Sequence, residues 1–324
     1  MYRYFLFLLL SLLPSFFQVE LAIAQLESSP KDSNGQKVLL YLDLPSKGSD
    51  DYSYSYTEED NKILNRIIDS AEKMHLSQLP IGKRINSIGQ MLLGTPYQDK
   101  TLEGNGKGEG LIINLRGLDC VTFFENSWAF ARMLKKYTKG NLSYLNAELH
   151  GLRYRYGIIN GYPSRLHYTS DYFYNNSLRG NLKEMTKEIG GSYAILEKKP
   201  INFMTTHPNL YSHLKDSPET IAAMDTIENC INSRGGFYYI KKENVEKIES
   251  GIETGDILGI TTSIVGIDCS HTGIAVRGDD GRIHFMHASS AMHKVIITEI
   301  PLADYLANNS KQTGIMIYRP QEVK

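Results

Sequence analysis

The stretch SHTGIAVRGDDGRIHFMHA, residues 270–288, decides how this chain folds. Strict alternation places Thr272, Ile274 and Val276 on one face of a strand, and His271, Gly273 and Ala275 on the other. Gly278-Asp279-Asp280-Gly281 then reads as a hairpin turn. A three-residue loop, Asp279 to Gly281, puts Gly281 at the left-handed position that this turn type requires. With that loop Gly278 opposes Arg282, Ala275 opposes Phe285, Gly273 opposes His287 and His271 opposes Ser289. His287 therefore shares a face with His271 and lies diagonal to it, about 7–8 Å away at the backbone. Two imidazoles can close that gap with a hydrogen bond, whereas His284 points to the other face. A two- or four-residue loop would turn His287 away.

The face carrying His271 is otherwise nearly bare, so a helix can pack close against it and bring a nucleophile. Residues 120–136 supply such a helix. Val121, Phe124, Trp128, Ala131 and Leu134 share one side, and Arg132, Lys135 and Lys136 lie toward the C-terminal end, where the dipole favours cations. Asp119 reads as its N-cap. Cys120 then sits in the first turn, where unpaired N–H groups and the dipole favour the thiolate and lower its pKa. The competing reading of Cys120 is a small buried core residue. In the functional reading His271 accepts the thiol proton and His287 holds the His271 ring in the accepting tautomer. The competing reading of His271, His284, His287 and His293 is a metal site. Their spacing matches no helical histidine pair flanking a glutamate, and no acidic residue stands beside them as base. Neither a metal nor another cofactor is expected.

Outward from these motifs, the 324 residues suit one large domain or two modest ones. A content of 41% hydrophobic and 22% charged residues excludes collagen-like, wholly disordered and coiled-coil chains. The formal net charge of −1 offers no basic face, so nucleic acid is not an expected partner. Residues 1–24 read as a cleaved signal peptide: Arg3 starts it, Phe5 to Phe17 are apolar, and Ala22-Ile23-Ala24 precedes Gln25. Pro14, Gln18 and Glu20 shorten the apolar run below the roughly 20 residues of a bilayer span. The mature chain is thus expected in a periplasm or outside the cell, with no stable membrane span. Residues 25–56 read as a flexible leader, with Val38–Leu44 able to form a short strand.

A helix begins after Thr57, with Ile63, Leu64, Ile67, Ile68, Ala71 and Met74 as its buried face, and a second fits residues 83–93. Residues 101–110 read as a glycine-rich loop, residues 140–250 are mixed and aromatic, and the last 70 residues show short strands. Helices first and strands last indicate an α+β fold.

Gly94-Thr95-Pro96-Tyr97, Leu118-Asp119-Cys120, Gly255-Asp256-Ile257-Leu258, Ser270-His271-Thr272-Gly273-Ile274 and Phe285-Met286-His287-Ala288 follow in this order. That order resembles the NlpC-type branch of the papain-like cysteine peptidases, which hydrolyse amide bonds in bacterial peptidoglycan. The longer motifs Asp119–Glu125, Arg165–Asp171 and Phe203–His207 are similar to the N-acetylmuramoyl-L-alanine amidase-like family, over roughly residues 60–320. The resemblance implies an antiparallel sheet packed on the nucleophile helix, in a domain over 57–324. It implies catalytic Cys120, His271 and His287. Compact relatives place the histidine much nearer the cysteine, and here the gap is 271 − 120 = 151 residues. A large insertion, about 140–250, is therefore expected.

The implied substrate is peptidoglycan or a muropeptide, cut between N-acetylmuramic acid and L-alanine. Two alternatives stay open: an endopeptidase cutting the D-Glu–diamino acid bond, and a non-catalytic wall-binding protein. Tyr97 matches a cleft-lining position and could hydrogen-bond substrate or help polarise its carbonyl; the competing reading is a packed core tyrosine. Arg165, His167 and Tyr168, read as an exposed cluster, suit stacking on sugars and binding of peptide carboxylates. Glu125 suits a structural salt bridge as well as it suits a substrate contact. Cys230 and Cys269 could form a disulfide bracing the catalytic strand in an oxidising compartment.

Overall fold

The computed structural model describes residues 54–103 and 108–323. The expected signal peptide and the leader as far as residue 53, with the 38–44 strand, lie outside the described residues. Within the described residues strand β1 (Tyr54–Ser55), which includes part of the expected leader, pairs in parallel with β2 (Leu111–Ile112).

Helix α1 (Glu58–Lys73) starts as its sequence predicts. The Thr57 hydroxyl accepts from the Asp60 N–H and the Asp60 carboxylate accepts from the Thr57 N–H, a reciprocal cap. The buried Asp60 carboxylate also accepts from Leu115 N (2.8 Å) and Arg116 Nε (3.0 Å), tying this helix to the segment that leads to Cys120. Helix α2 (Ile81–Met91) begins directly after Pro80, two residues earlier than its apolar pattern suggests. Its Gly82 abuts Gly255, whose φ is +97°, and a side chain at either position would run into the other segment's backbone.

Helix α3 (Cys120–Lys136) has the expected bounds, but it is buried on nearly every side rather than on one. Within it Asn126 Nδ2 donates to Thr122 O and Ser127 Oγ to Phe123 O. Glu125 accepts from Arg153 Nε at 2.8 Å, the structural salt bridge of the two readings given to it. Arg153 ends α4 (Leu142–Arg153) and also donates to Ile112 O.

Beyond α4 come α5 (Thr169–Leu178), β3 (Leu182–Glu184), α6 (Thr186–Gly190) and β4 (Ala194–Glu197). Next are α7 (Phe203–Thr206), α8 (Pro218–Ser233), β5 (Phe237–Lys241) and α9 (Val245–Ile248). The C-terminal part holds β6 (Ile257–Thr262), β7 (Cys269–Arg277), β8 (Ile283–Ser289), β9 (Lys294–Ile297), α10 (Leu302–Ala307) and β10 (Gln312–Pro320). An eight-stranded sheet runs β4-β5-β10-β6-β7-β8-β9, with β3 also on β10, and each pairing is antiparallel. The stretch 140–250, expected as a large insertion between helix and sheet, contributes β3, β4 and β5 to the sheet. The same stretch holds a small core of its own around Tyr162, Tyr168, Met204, Leu214 and Met224.

The β7–β8 hairpin has the register its turn dictates: Ala275 faces Phe285, Val276 faces His284 and Arg277 faces Ile283. Gly278 N donates to Arg282 O, and Gly281 sits at φ +78°. The faces are used differently from the expectation. Helix α3 shares a core with Ile274, Val276, Met286 and Ala288, on the Thr272 side of the sheet. The bare face at Gly273 is filled by the Phe285 ring, which a Cβ at Gly273 would strike at 2.6 Å. Phe285 and Ala275 belong to a second core with Leu302 and Leu306 of α10. Helix α3 therefore does not cover the histidine face; Cys120 meets β7 at its Thr272 edge.

Candidate active site

Cys120 is the first residue of α3, and Asp119 caps it. Asp119 Oδ1 accepts from Thr122 N at 2.8 Å, and Thr122 Oγ1 accepts from Asp119 N at 2.9 Å. Asp119 Oδ2 also accepts from Thr101 Oγ1 at 3.3 Å, so both carboxylate oxygens are engaged. The thiol lies against Thr272, whose hydroxyl and backbone favour the thiolate. Burial and the adjacent Asp119 carboxylate outweigh this and push the thiol up to about 11. Burial and the Asp119 charge thus act against the depression expected at the helix start. A helix terminus stabilises a thiolate, yet desolvation and a neighbouring negative charge act on the same atom in the opposite sense.

Beside Thr272 on β7 stands His271. Its Nε2 lies 2.6 Å from Nδ1 of His287, with the two rings nearly perpendicular and their centroids 4.7 Å apart. Burial, reinforced by the neighbouring His287, pushes His271 down to about 3. Burial pushes His287 down to about 4, against the favourable Ala288 carbonyl. Both rings are therefore neutral near pH 7, and exactly one proton can lie between them. The other His271 nitrogen, Nδ1, remains for a different partner. His287 is 1% exposed, and its Nε2 has no hydrogen-bond partner among the described residues.

Aromatic rings enclose the pair. Phe285 stacks on His287 at 4.7 Å and meets His271 edge-on at 5.6 Å. Tyr305 of α10 contacts both Phe285 (5.6 Å) and His287 (5.4 Å). Burial and then the Cys120 thiolate raise the Tyr97 phenol, while Tyr305 responds to burial, to Gln312 and to Cys120. Two phenols thus sense the same sulfur, and both stay protonated. Tyr97 is held by its N–H to His293 O (2.9 Å) and is half-buried. Sequence reasoning missed Tyr305; the only signal was its place on an apolar helical repeat beside Leu302 and Leu306, which marks packing and not chemistry.

Arg165, His167 and Tyr168 are not an exposed cluster. Arg165 is 4% exposed; it donates to Leu102 O (2.8 Å) and Glu103 Oε1 (3.1 Å), lies 3.4 Å from Glu109 and covers the Tyr162 ring. His167 Nε2 contacts Tyr162 O at 2.9 Å, and burial lowers its pKa well below the ordinary value. Tyr168 donates to Glu228 at 2.6 Å and accepts from Met204 N at 2.9 Å. Their polar groups are spent inside the protein, holding both ends of the glycine-rich loop and the small third core. Cys230 and Cys269 are not bridged: Cys269 is buried, with its Sγ 3.6 Å from the Met316 sulfur. The entry to β7 is braced instead by Asp268, which accepts from Ser170 N and Cys269 N. Among the described residues no group of three or more His, Cys, Asp or Glu could hold a metal, and no helix is long and apolar enough to cross a membrane.

A helix-borne cysteine against Thr272, whose chain neighbour His271 pairs with His287, is the arrangement to compare with known proteins. The profile of the AmiA-like, N-acetylmuramoyl-L-alanine amidase-like family matches residues 87–315, from α2 to β10. The chain belongs to the N-acetylmuramoyl-L-alanine amidase-like family. A crystal structure of an N-acetylmuramoyl-L-alanine amidase from Bacteroides uniformis is 35% identical, covering 75% of this chain and 99% of that one, with a TM-score of 0.68. A Bacteroides fragilis protein carrying a provisional xylanase name is also 35% identical, covering 71% and 98%, with a TM-score of 0.65. Protein LPG0564 of Legionella pneumophila is 21% identical with a TM-score of 0.59, covering 81% and 96%, a likeness of fold alone. None of the functionally curated proteins matches the chain. The family implies a hydrolase of peptidoglycan-type substrates.

Proposed function

We propose that this protein is an exported cysteine amidohydrolase that cleaves the amide between N-acetylmuramic acid and L-alanine. The observation that carries the reading is the 2.6 Å contact between His271 Nε2 and His287 Nδ1, on strands whose Thr272 touches the Cys120 thiol. The order of Cys120, His271 and His287 along helix and strands supports an NlpC-type papain-like core.

Because burial holds Cys120 as a thiol and His271 as a neutral imidazole, the resting site is not an ion pair. The thiol proton passes to His271 Nδ1 as sulfur attacks the lactyl carbonyl carbon. His271 Nε2–H donates to His287 Nδ1 throughout, which fixes the accepting tautomer and spreads the developing charge. The Cys120 backbone N–H, at the start of α3, helps hold the oxyanion. Collapse of the tetrahedral species transfers the His271 proton to the departing L-alanine nitrogen and leaves a thioester on Cys120. Water then attacks the thioester, giving its proton to His271, and releases the muramic acid carboxylate and the thiol. Tyr97, beside the sulfur, serves as a hydrogen-bond donor to the bound carbonyl or its neighbour.

Arg165 acts at a distance in this reading, through its bonds to Leu102 and Glu103 beside Thr101, which donates to Asp119, while His167 and Tyr168 hold the third core. Glycoside hydrolysis, the activity in the provisional name of one neighbour, uses two carboxyl groups flanking the bond. The carboxylate next to Cys120 is Asp119, and both of its oxygens are committed to structure. Residues 1–24 carry the export reading and residues 57–324 the domain.

The test is product mapping on purified muropeptides. Release of free stem peptide by the wild type and not by Cys120→Ala supports the amidase reading. Cysteine-dependent cleavage inside the stem replaces the bond and restores the endopeptidase. No cysteine-dependent product with any muropeptide overturns the reading in favour of wall binding.

A further inference from the structure

The leaving group of the proposed reaction is anionic. In the stem peptide the D-Glu that follows L-alanine is linked onward through its side chain, so its main-chain carboxylate stays free. Arg165, which the sequence offers for such a group, is buried and committed to Glu103 and Glu109. Another cation stands closer to the candidate site, just past the turn that follows β8.

Strand β9 pairs with β8 so that Ile296 faces His287 and Lys294 faces Ser289. Val295 and Ile297 pack with Met286 and Ala288 on the α3 side, so Lys294 belongs to the face that carries His271 and His287. It lies diagonal to His287, about 7–8 Å away at the backbone. A second set of backbone contacts ties it to the nucleophile. Lys294 bridges to Pro96, Pro96 O accepts from Leu118 N at 3.0 Å, and Leu118 leads into Asp119-Cys120. Two strand spacings put Lys294 about 10 Å from Leu118. His293, in the left-handed conformation at φ +56°, fixes this edge by accepting from Tyr97 N at 2.9 Å.

Lys294 is exposed, and its ammonium has no hydrogen-bond or ion-pair partner among the described residues. Across from it the buried Ser289 hydroxyl accepts from Met292 N at 3.1 Å, which leaves its hydrogen to donate. An ammonium facing a hydroxyl suits a carboxylate. We propose that Lys294, with Ser289 opposite, is a specificity-determining residue that binds the free carboxylate of the second stem residue. Two extended residues span about 7 Å, so an amide held at Cys120 carries that carboxylate toward the lysine. The inference rests on the amidohydrolase reading for the bond that is cut, but not for the binding of the carboxylate.

The test compares N-acetylmuramoyl-L-alanyl-D-glutamate with N-acetylmuramoyl-L-alanyl-D-isoglutamine, in which that carboxylate is an amide. Binding is measured by titration calorimetry with Cys120→Ala, and hydrolysis with proteins that keep the cysteine. Cys120→Ala should hold the acid about tenfold more tightly than the amide, the size of one partly screened charge-assisted bond. Adding Lys294→Met should bring the two ligands within twofold of each other, and Lys294→Arg in its place should keep most of the preference. In turnover Lys294→Met should raise KM for the acid about tenfold with kcat within twofold, as expected for lost ground-state binding. Equal affinity of Cys120→Ala for acid and amide overturns the proposal, as does binding of neither or a preference that survives Lys294→Met. If the preference depends on the lysine but wild-type protein cleaves neither ligand nor any longer muropeptide, the amidase reading falls while the carboxylate site stands.

Discussion

Replacing Asp119 by asparagine should make Cys120 more reactive, and the size of the effect follows from what surrounds the sulfur. Burial and the Asp119 carboxylate hold the thiol at about 11. At pH 8 only about one molecule in a thousand then carries the thiolate. Asparagine keeps an oxygen to accept from Thr122 N, and it is as good an N-cap as aspartate, so α3 should start where it does now. What is lost is one negative charge next to the sulfur. At the short range between adjacent residues, and with partial screening, that charge is worth about one pKa unit, or ~1.4 kcal/mol. The sign is definite: the charged form of a thiol is the anion, so removing a nearby anion lowers its pKa. The assay is the rate of iodoacetamide labelling of the Cys120 peptide between pH 6 and 11, read by mass spectrometry in a Cys230→Ser background. Wild type should label slowly at pH 8 and accelerate only above pH 9, and Asp119→Asn should label about tenfold faster at pH 8. Rapid wild-type labelling near pH 6, or slower labelling in Asp119→Asn, would refute the reasoning.

Other outcomes follow from the same contacts. His287→Ala should lower kcat by about 10²–10³ without abolishing it, because His271 keeps its base but loses its orienting partner; an unchanged rate removes His287 from the site. Glu125→Gln breaks a fully buried pair with Arg153 and should cost about 3–5 kcal/mol in denaturant unfolding; a loss under about 1 kcal/mol would mean the pair adds little. Burial alone would raise the Asp171 pKa, but Arg155 and Arg234 hold it below the ordinary value. A carboxyl lowered in the folded state adds stability above its unfolded pKa, and this is lost as pH falls through the lowered folded value. Arg234→Gln should therefore narrow the stability gap between pH 6 and pH 3, and an unchanged slope of melting temperature against pH would contradict this.

Local signals made much of this protein readable from its residues alone. Asp119 and Thr122 specify the start of α3, and Lys135 and Lys136 mark its end, so its bounds follow from capping and dipole alone. Gly281 fixes the turn, the turn fixes the register, and the register puts His287 on His271. The readings that failed depend on contacts distant in sequence. Nothing near Gly273 indicates that Phe285 would fill the bare face and send α3 to the other one. Arg165 looks like a ligand for carboxylates, and it is one, but the carboxylates belong to Glu103 and Glu109 of the same chain. The Cys120 pKa turns on desolvation, which no helix position reports.

The most direct test of the central claim is to quench a reaction of the wild-type protein with muropeptide in acid and map the adduct. The account predicts a thioester on Cys120 whose added mass is the N-acetylmuramoyl group. A thioester carrying L-Ala-D-Glu would keep the cysteine and contradict the bond, and turnover with no adduct on Cys120 under any quench time would contradict the mechanism itself.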